Sequence, residues 1–434
     1  MELMRLGLAG FGTVGKSVYT HLRRNERLLQ QRLGISPTIS KIAVRDLSKD
    51  RGINIPPELL TNQWETLPTN PDIDLVIELM GGMDQARSLV EKTLRAGKPV
   101  ITANKALLAE QGAELFALAE QQEQPIFFEA AAAGGIPIIK TVREALVGNH
   151  LLSMYGIING TSNYILSRMA EEGLSFEAVL ADAQALGYAE ADPTLDINGW
   201  DAAHKAILLA TLAYGFWVSH REIYVDGIQG ITASDVQFAA LLGYTIKLLA
   251  VIKSDCGGAV EVRVHPTLIP DGHVLASVSG VFNAVAVQGD VLGESLFYGR
   301  GAGGDATSSA VLSDVGDAVN FLRCGHAPRW FRSEGLYGSL KPIGEVRSAF
   351  YLRLEVEDKP GVLAQVAQIL GSMSIGISSV IQPELPGSPA LPLVLMLHDA
   401  KFSALQEAIQ QMSLLDCVRG EPKFLWVEHL PVNS

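Results

Sequence analysis

Cysteine is scarce in this chain: Cys256, Cys324 and Cys417 are the only three in 434 residues, widely separated and odd in number. That excludes a disulfide framework and a CxxC metal site, and it fits a reducing, cytoplasmic compartment. Dense runs of Lys and Arg are also missing. With 34 basic against 47 acidic side chains the formal charge is −13, so neither nucleic acid nor an anionic membrane is an expected partner. No apolar run is long enough to cross a bilayer, which takes about 20 residues; the longest, Ala206 to Val218, reads as a core helix. The opening MELMRLGLAG enters a strand-like pattern without the basic, apolar, small-residue order of a signal peptide, so export is not expected.

What the chain does have is apolar content. Hydrophobic residues make up 48% and charged residues 19%, the balance of large buried cores and not of a disordered chain. The length suggests roughly two to four domains.

The run LMRLGLAGFGTVGKSVYTHL places Gly10, Gly12 and Gly15 in the spacing GxGxxG, after an apolar strand and at the opening of a helix. In a dinucleotide site the first glycine allows the tight turn, the second lets the backbone approach a pyrophosphate, and the third permits close helix-to-strand packing. The helix N-terminus, with Phe11, Thr13 and Val14 around the turn, then offers amide N–H groups to the phosphates. A second strand, residues 39–44, ends in Arg45 and Asp46. An arginine there accommodates the 2′-phosphate of NADP, whereas an acid takes the ribose hydroxyl of NAD; Arg45, with Lys49, points to NADP, and Asp46 leaves NAD open.

Further βα units follow in DIDLVIELMGG and KPVITANKALL. Ligands of such sheets sit at the carboxyl ends of the strands, which puts Lys105 towards the cofactor; a solvated loop lysine is the alternative. In QPIFFEAAAAGGIPIIK, Glu129 precedes a loop of small residues whose carbonyls are accessible. One carboxylate with several carbonyls suits a hard cation, and the same carboxylate could equally cap the helix that follows.

From about Leu151 the character changes. The segment AQALGYAEADPTLDINGWDAAHKA packs Glu190, Asp192, Asp196 and Asp201 into twelve residues beside Lys205, with no metal-binding His or Cys spacing and no calcium-loop pattern. Asp201 and Lys205 are four apart, on one helical face. They read either as an exposed ion pair or as carboxylates for a substrate ammonium next to a proton-transferring lysine.

At this point the chain resembles the homoserine dehydrogenase family. The resemblance rests on Ala183, Gly187, Tyr188, Asp192, Pro193, Asp196, Ile197, Gly199, Asp201 and Lys205, and on GFGTVG, TANK, NGTSNYI and YGRGAGGDATSSAV elsewhere. It implies an NAD(P)-dependent oxidoreductase that interconverts L-homoserine and L-aspartate 4-semialdehyde in threonine, methionine and isoleucine biosynthesis. It further implies that Lys205 moves the proton, that Lys105 contacts the cofactor and assists at the reacting centre, and that Glu190, Asp196 and Asp201 hold the substrate. Gly303 would return to the nicotinamide cofactor. Glu129 with the carbonyls of Ala132, Gly134 and Ile136 would form a monovalent cation site, usually sodium. Leu195 stands where some members carry another Asp, a position the signature leaves free.

After residues 337–347, a Gly- and Pro-containing linker, the pattern reads βαββαβ, a ferredoxin-like layout. DKPGVLA resembles the start of an ACT domain, which implies a threonine effector; the alternative is a domain that only dimerises. Leu397 stands where a threonine is expected before His398, and the loop QPELPGSPALP is proline-rich. The expected fold class is therefore α/β, a Rossmann doubly wound parallel sheet plus an α+β catalytic and dimerisation domain plus a C-terminal ferredoxin-like ACT domain. The expected segments are 1–137 with a returning helix at about 305–325, then 138–304, then 348–434. A homodimer or homotetramer is expected. Another Rossmann amino-acid oxidoreductase, or an ACT-based amino-acid sensor without catalysis, is the alternative reading; the full set Lys105, Glu190, Asp201 and Lys205 argues against the sensor.

Overall fold

Continuous apolar stretches with no polar alternation build strands that are buried on both faces, and the first half of the chain has several. In the computed structural model, which describes residues 3–254, 258–325, 337–383 and 390–430, these strands form one parallel sheet. Its order is Leu60–Thr61, Ser36–Ala43, Leu3–Ala9, Leu75–Glu78, Val100–Thr102, Ile126–Phe127. Chain order thus runs outward from the first strand in both directions, the doubly wound arrangement, with the reversal between Leu3–Ala9 and Leu75–Glu78. Helix Thr13–Arg24 turns Val18, Tyr19 and Leu22 onto Leu6 and Leu8. A late helix, Gly304–Cys324, completes that core with Val311, Val315 and Val319. It starts slightly earlier than the expected residue 305, because Gly303 supplies the turn with φ +113°.

Two compact units partition the chain: residues 1–152, 204–221 and 282–337 in one, and 153–203, 222–281 and 338–434 in the other. Segments 138–152 and 282–304 therefore fall in the unit that holds the parallel sheet, although strands Phe282–Gly289 and Gly293–Arg300 pair within the other sheet, and the C-terminal segment shares a unit with the middle of the chain.

In the second unit the sheet runs in the order Leu151–Ile157, Tyr244–Ser254, Val260–Pro270, Val418–Val427, Arg347–Val356, Leu391–Lys401, Ile377–Ile381. The last four strands, with helices Val362–Ser372 and Phe402–Met412, form a βαββαβ module whose spatial order is fourth, first, third, second. Leu352, Leu354, Leu395 and Phe402 fill its core, and Leu397 is buried there as well. Residues 384–389 of the proline-rich loop lie outside the described residues, as does Cys256.

The C-terminal module does not hang on a free linker. Its last strand pairs in parallel with Val260–Pro270, Trp426 opposite Thr267 and Val427 opposite Leu268. Within 337–347, the Lys341 N–H donates to the Val260 carbonyl at 2.8 Å and Lys341 Nζ reaches Glu261 at 3.0 Å. Fully buried Arg263 donates to Glu428 Oε1 at 2.6 Å and lies over the Trp426 ring at 4.5 Å, while Lys253 reaches Glu428 Oε2 at 2.6 Å. Burial alone would push the Glu428 carboxyl up, but the charges of Arg263 and Lys253 outweigh it and hold the group below the usual carboxylate range. At a second joint Asp235, in the capping box of helix Ala233–Leu241, accepts from Arg353 Nε at 2.7 Å and from the Tyr351 hydroxyl at 3.0 Å.

Candidate active site

In the first unit, the Gly-rich turn connects the first strand to helix Thr13–Arg24. Gly10 has φ +96°, and a Cβ there would stand 2.3 Å from the Leu79 carbonyl oxygen. At Gly15 a Cβ would meet the Gly10 carbonyl at 2.3 Å, so both positions exclude any side chain. A Cβ on Gly12 meets nothing within 4 Å, which leaves an open approach to the backbone. No side chain caps the helix, so its first N–H groups remain for a ligand.

A cavity of about 920 Å³ opens beside this turn. Gly10, Phe11, Gly12, Thr13, Leu79 and Met80 line it, together with Arg45, Lys49 and Arg51. Val14 is half-buried against the core behind the turn. The volume, the open glycine and the uncapped helix suit a dinucleotide. Asp46, also in the lining, is already engaged: its Oδ1 accepts from the Ser48 hydroxyl at 2.6 Å and from the Ser48 N–H at 2.8 Å. Those two donors hold its carboxyl below the ordinary range. Arg45, Lys49 and Arg51 add positive charge to the same lining.

Gly303 starts helix Gly304–Cys324 without a side-chain cap, and a Cβ on Gly304 would stand 2.4 Å from Ser17 Oγ and 3.3 Å from Thr13 Cγ2. The N-terminal ends of two helices thus lie against each other beside the cavity, and their dipoles add towards an anion.

Lys105 is the first residue of helix Lys105–Gln121, which Asn104 caps through Oδ1 to the Leu107 N–H at 3.2 Å. Trp217, just beyond the helix that carries Lys205, packs on the same helix so closely that a Cβ on Gly112 would lie 2.1 Å from its ring. Lys205 itself is buried.

Glu129 is buried, and both of its oxygens accept backbone N–H groups, Oε1 from Ile139 at 3.0 Å and Oε2 from Lys140 at 2.8 Å. It caps the short helix Ile138–Lys140, the second of the two roles its sequence position allowed. Burial pushes its carboxyl up to about 7. Its own N–H donates to Asp314 Oδ2 at 2.9 Å, and burial together with the Glu129 and Asp317 charges raises Asp314 well above the ordinary range. The adjoining loop takes left-handed backbone at Ala133 (φ 53°) and Gly134 (φ 47°), and the Ile136 carbonyl already accepts the Ile138 N–H at 2.7 Å. Glu129 and Asp314 offer oxygen donors only, the donor type a hard cation takes, and each carboxylate oxygen keeps a lone pair the amides do not use.

In the second unit one residue organises the acids. Asn159 caps helix Gly160–Glu172 through Oδ1 to the Ser162 N–H at 2.7 Å. Its Nδ2 group donates to Asp196 Oδ1 at 2.7 Å and to Asp201 Oδ2 at 2.8 Å. Two carboxylates are therefore held together by a neutral amide. Ser162 Oγ donates to the Asp196 carbonyl at 2.8 Å and Thr161 Oγ1 to the Tyr188 carbonyl at 2.9 Å, which ties the whole Asn159–Ser162 turn to the acidic segment. Glu190 stands apart, exposed on the loop after helix Phe176–Ala185, and Asp192 caps the turn at Thr194. The bridging Asn159 is not among the expected site residues, although it opens the NGTSNYI stretch of the resemblance and stands as a helix cap.

Residues 137–315 match the family described as homoserine dehydrogenase, and residues 10–129 match the homoserine dehydrogenase NAD-binding domain. Homoserine dehydrogenase of Neisseria gonorrhoeae is 42% identical over 99% of this chain and 100% of its own length, and that of Pseudomonas aeruginosa is equally similar, 42% over 99% and 100%. A crystal structure of a homoserine dehydrogenase from Thiobacillus denitrificans aligns with a TM-score of 0.92 and 41% identity, covering 98% of each chain. A hyperthermophilic archaeal homoserine dehydrogenase solved in complex with NADPH aligns with a TM-score of 0.62 and 25% identity over 76% of this chain and 100% of its own. By these matches, which span nearly the whole length of the chain, it belongs to the homoserine dehydrogenase family.

Proposed function

We propose that the chain carries out reversible hydride transfer between L-homoserine and L-aspartate 4-semialdehyde with NADP as its preferred cofactor. The observation that carries the reading is the Asn159 bridge, which holds Asp196 and Asp201 side by side at the start of the helix that bears Lys205. These carboxylates, with Glu190 from its exposed loop, receive the substrate ammonium. Lys205, one helical turn after Asp201, takes the hydroxyl proton in oxidation and returns it in reduction. Lys105 faces the cofactor and the reacting centre. Bound NADP supplies the hydride chemistry; the chain supplies orientation, charge and the proton path. Following NADPH consumption with aspartate 4-semialdehyde tests the reading, and no turnover at any pH would reject it.

The cluster Arg45, Lys49 and Arg51, beside an Asp46 spent on Ser48, supports the cofactor preference. The double variant Arg45→Ala/Lys49→Ala is expected to raise the NADPH KM by about tenfold or more, on the scale of lost charge-assisted contacts. The NADH KM should stay nearly constant, and an equal rise for both cofactors would reject the assignment.

For the cation, Glu129 with the Ala132, Gly134 and Ile136 carbonyls would hold sodium, where it would offset the buried charge of Glu129 and Asp314. The folded Glu129 carboxyl, pushed up to about 7, contributes stability below its ordinary range that is lost as pH rises through that value. Sodium, compared with equal tetramethylammonium, should therefore raise Tm more at pH 8 than at pH 5. The same Tm in both salts at pH 8 would exclude the site.

The C-terminal module, with its ferredoxin-like order and the DKPG turn whose Gly361 has φ +91°, is consistent with an ACT domain and a threonine effector. Such an effector requires different affinities for two enzyme states, so rates of the intact chain with and without threonine test it. Deleting residues 348–434 would not, since that removes the strand paired with Val260–Pro270. A homodimer or homotetramer is the expected assembly, measurable by sedimentation.

A further inference from the structure

Glu78 ends strand Leu75–Glu78 at the reversal point of the parallel sheet and is completely buried, which an unpaired carboxylate could not tolerate. Its Oε1 accepts the Met80 N–H at 2.8 Å and the Gly81 N–H at 3.3 Å, and its Oε2 accepts the Thr102 hydroxyl at 2.6 Å. Thr102, its register partner on strand Val100–Thr102, in turn accepts the Asn104 N–H at 3.0 Å. Asn104 closes the ring by donating Nδ2 to the Gly82 carbonyl at 2.7 Å, while its Oδ1 caps the helix that opens with Lys105. Burial pushes the Glu78 carboxyl up, against the pull of these hydrogen bonds. The Met80 and Gly81 N–H groups and the Thr102 hydroxyl all donate to Glu78, so an acceptor oxygen at this position holds the ring together.

The ring joins two parts that chemistry needs in register. Leu79 and Met80 line the cofactor cavity, and Lys105 starts from the Asn104 cap. We propose that Glu78 is a positioning residue for hydride transfer, setting the Leu79 and Met80 lining and the Lys105 helix at one fixed separation through Thr102 and Asn104. The proposal rests on the reading of Lys105 as the lysine at the cofactor and reacting centre. Its physical content is that small displacements of a reacting group are costly: a shift of about 1 Å can lower a rate by about 100-fold.

The experiment uses the full chain with Thr102→Val, which keeps the shape and removes the hydroxyl, and Thr102→Ser, which keeps the hydroxyl. Thr102→Val is expected to lower kcat by about ten- to 100-fold with the NADPH Kd, read by cofactor fluorescence, nearly unchanged. Thr102→Ser should restore most of kcat. Glu78→Leu, which removes the acceptor of the Met80 and Gly81 N–H groups and of the Thr102 hydroxyl, should weaken NADPH binding as well as kcat, because it frees the Met80–Gly81 turn. Hydrogen exchange at Met80, Gly81 and Leu107 in the Thr102→Val and Glu78→Leu chains should rise together with these losses. Equal kcat in the Val and Ser variants, or a kcat loss in Thr102→Val that follows its Tm and leaves exchange at those amides unchanged, would overturn the proposal. A wild-type chain without turnover on aspartate 4-semialdehyde would instead reject the reading of the reaction, and the exchange measurement would still decide whether the ring couples the two segments.

Discussion

Lys205→Ala is expected to lower kcat by about 10²–10⁴-fold, the range that general acid–base catalysis contributes, with NADPH affinity close to wild type. The separation of the two effects follows from the fold. The cofactor cavity is lined by the Gly-rich turn, the strand end at Arg45 and by Leu79 and Met80, none of which depends on the Lys205 side chain. Lys205→Arg discriminates between two uses of the positive charge. If the residue only holds an anionic oxygen, arginine should retain much of the rate. If it gives and takes a proton, arginine should be as poor as alanine, because a guanidinium does not deprotonate in this pH range. Single-turnover rates with fluorescence-measured NADPH binding provide both numbers, and a kcat within about tenfold of wild type in Lys205→Ala would be too small a loss for a proton carrier.

Glu428→Ala should cost about 3–5 kcal/mol of stability, the scale for breaking a buried ion pair by removing one partner. Arg263 has no exposed surface, and with Glu428 gone its guanidinium keeps, among the described residues, the Trp426 ring, the His265 ring nitrogen at 2.6 Å and the more distant Glu261 carboxylate. His265 cannot compensate, since burial and the neighbouring Arg263 charge hold it neutral, far below its ordinary value. Replacing both partners with apolar residues, Arg263→Met/Glu428→Leu, should recover most of the loss. Urea denaturation of the three chains measures this; a double variant no better than Glu428→Ala would mean that Trp426 stacking, and not charge pairing, holds the joint. The sign with pH is also set. Because the folded Glu428 carboxyl lies below its ordinary range, its contribution is present above that range and is lost as pH falls through the folded value. Loosening in acid should therefore begin at the contact between strands 260–270 and 418–427.

Local features of the chain are legible in the order of its residues. GxGxxG in strand-turn-helix context requires its glycines for reasons that act within a few residues, and the fold adds only the contacts a Cβ would make, 2.3 Å at Gly10 and at Gly15. Helix Phe402–Met412 and the βαββαβ order follow from hydrophobic period, also a local property. The acids around Lys205 are visible as a crowded segment. Which of them act together is not, because Asn159 reaches Asp196 and Asp201 from 37 and 42 residues away. Glu129 shows the same limit: its position allows a cation ligand or a helix cap, and only the fold shows that both oxygens meet the N–H groups of Ile139 and Lys140.

Residue order is thus enough for the dinucleotide cradle and for the ferredoxin-like succession of C-terminal strands, since each is written within a short stretch of chain. It is not enough for the joining of two acids by Asn159, the ring from Glu78 to the Lys105 helix, or the continuation of the middle segment's sheet into the C-terminal module. Those required the folded chain. Hydrogen bonds and ion pairs between residues far apart in sequence depend on which strands come to lie side by side, and that follows from burying the whole set of apolar faces at once.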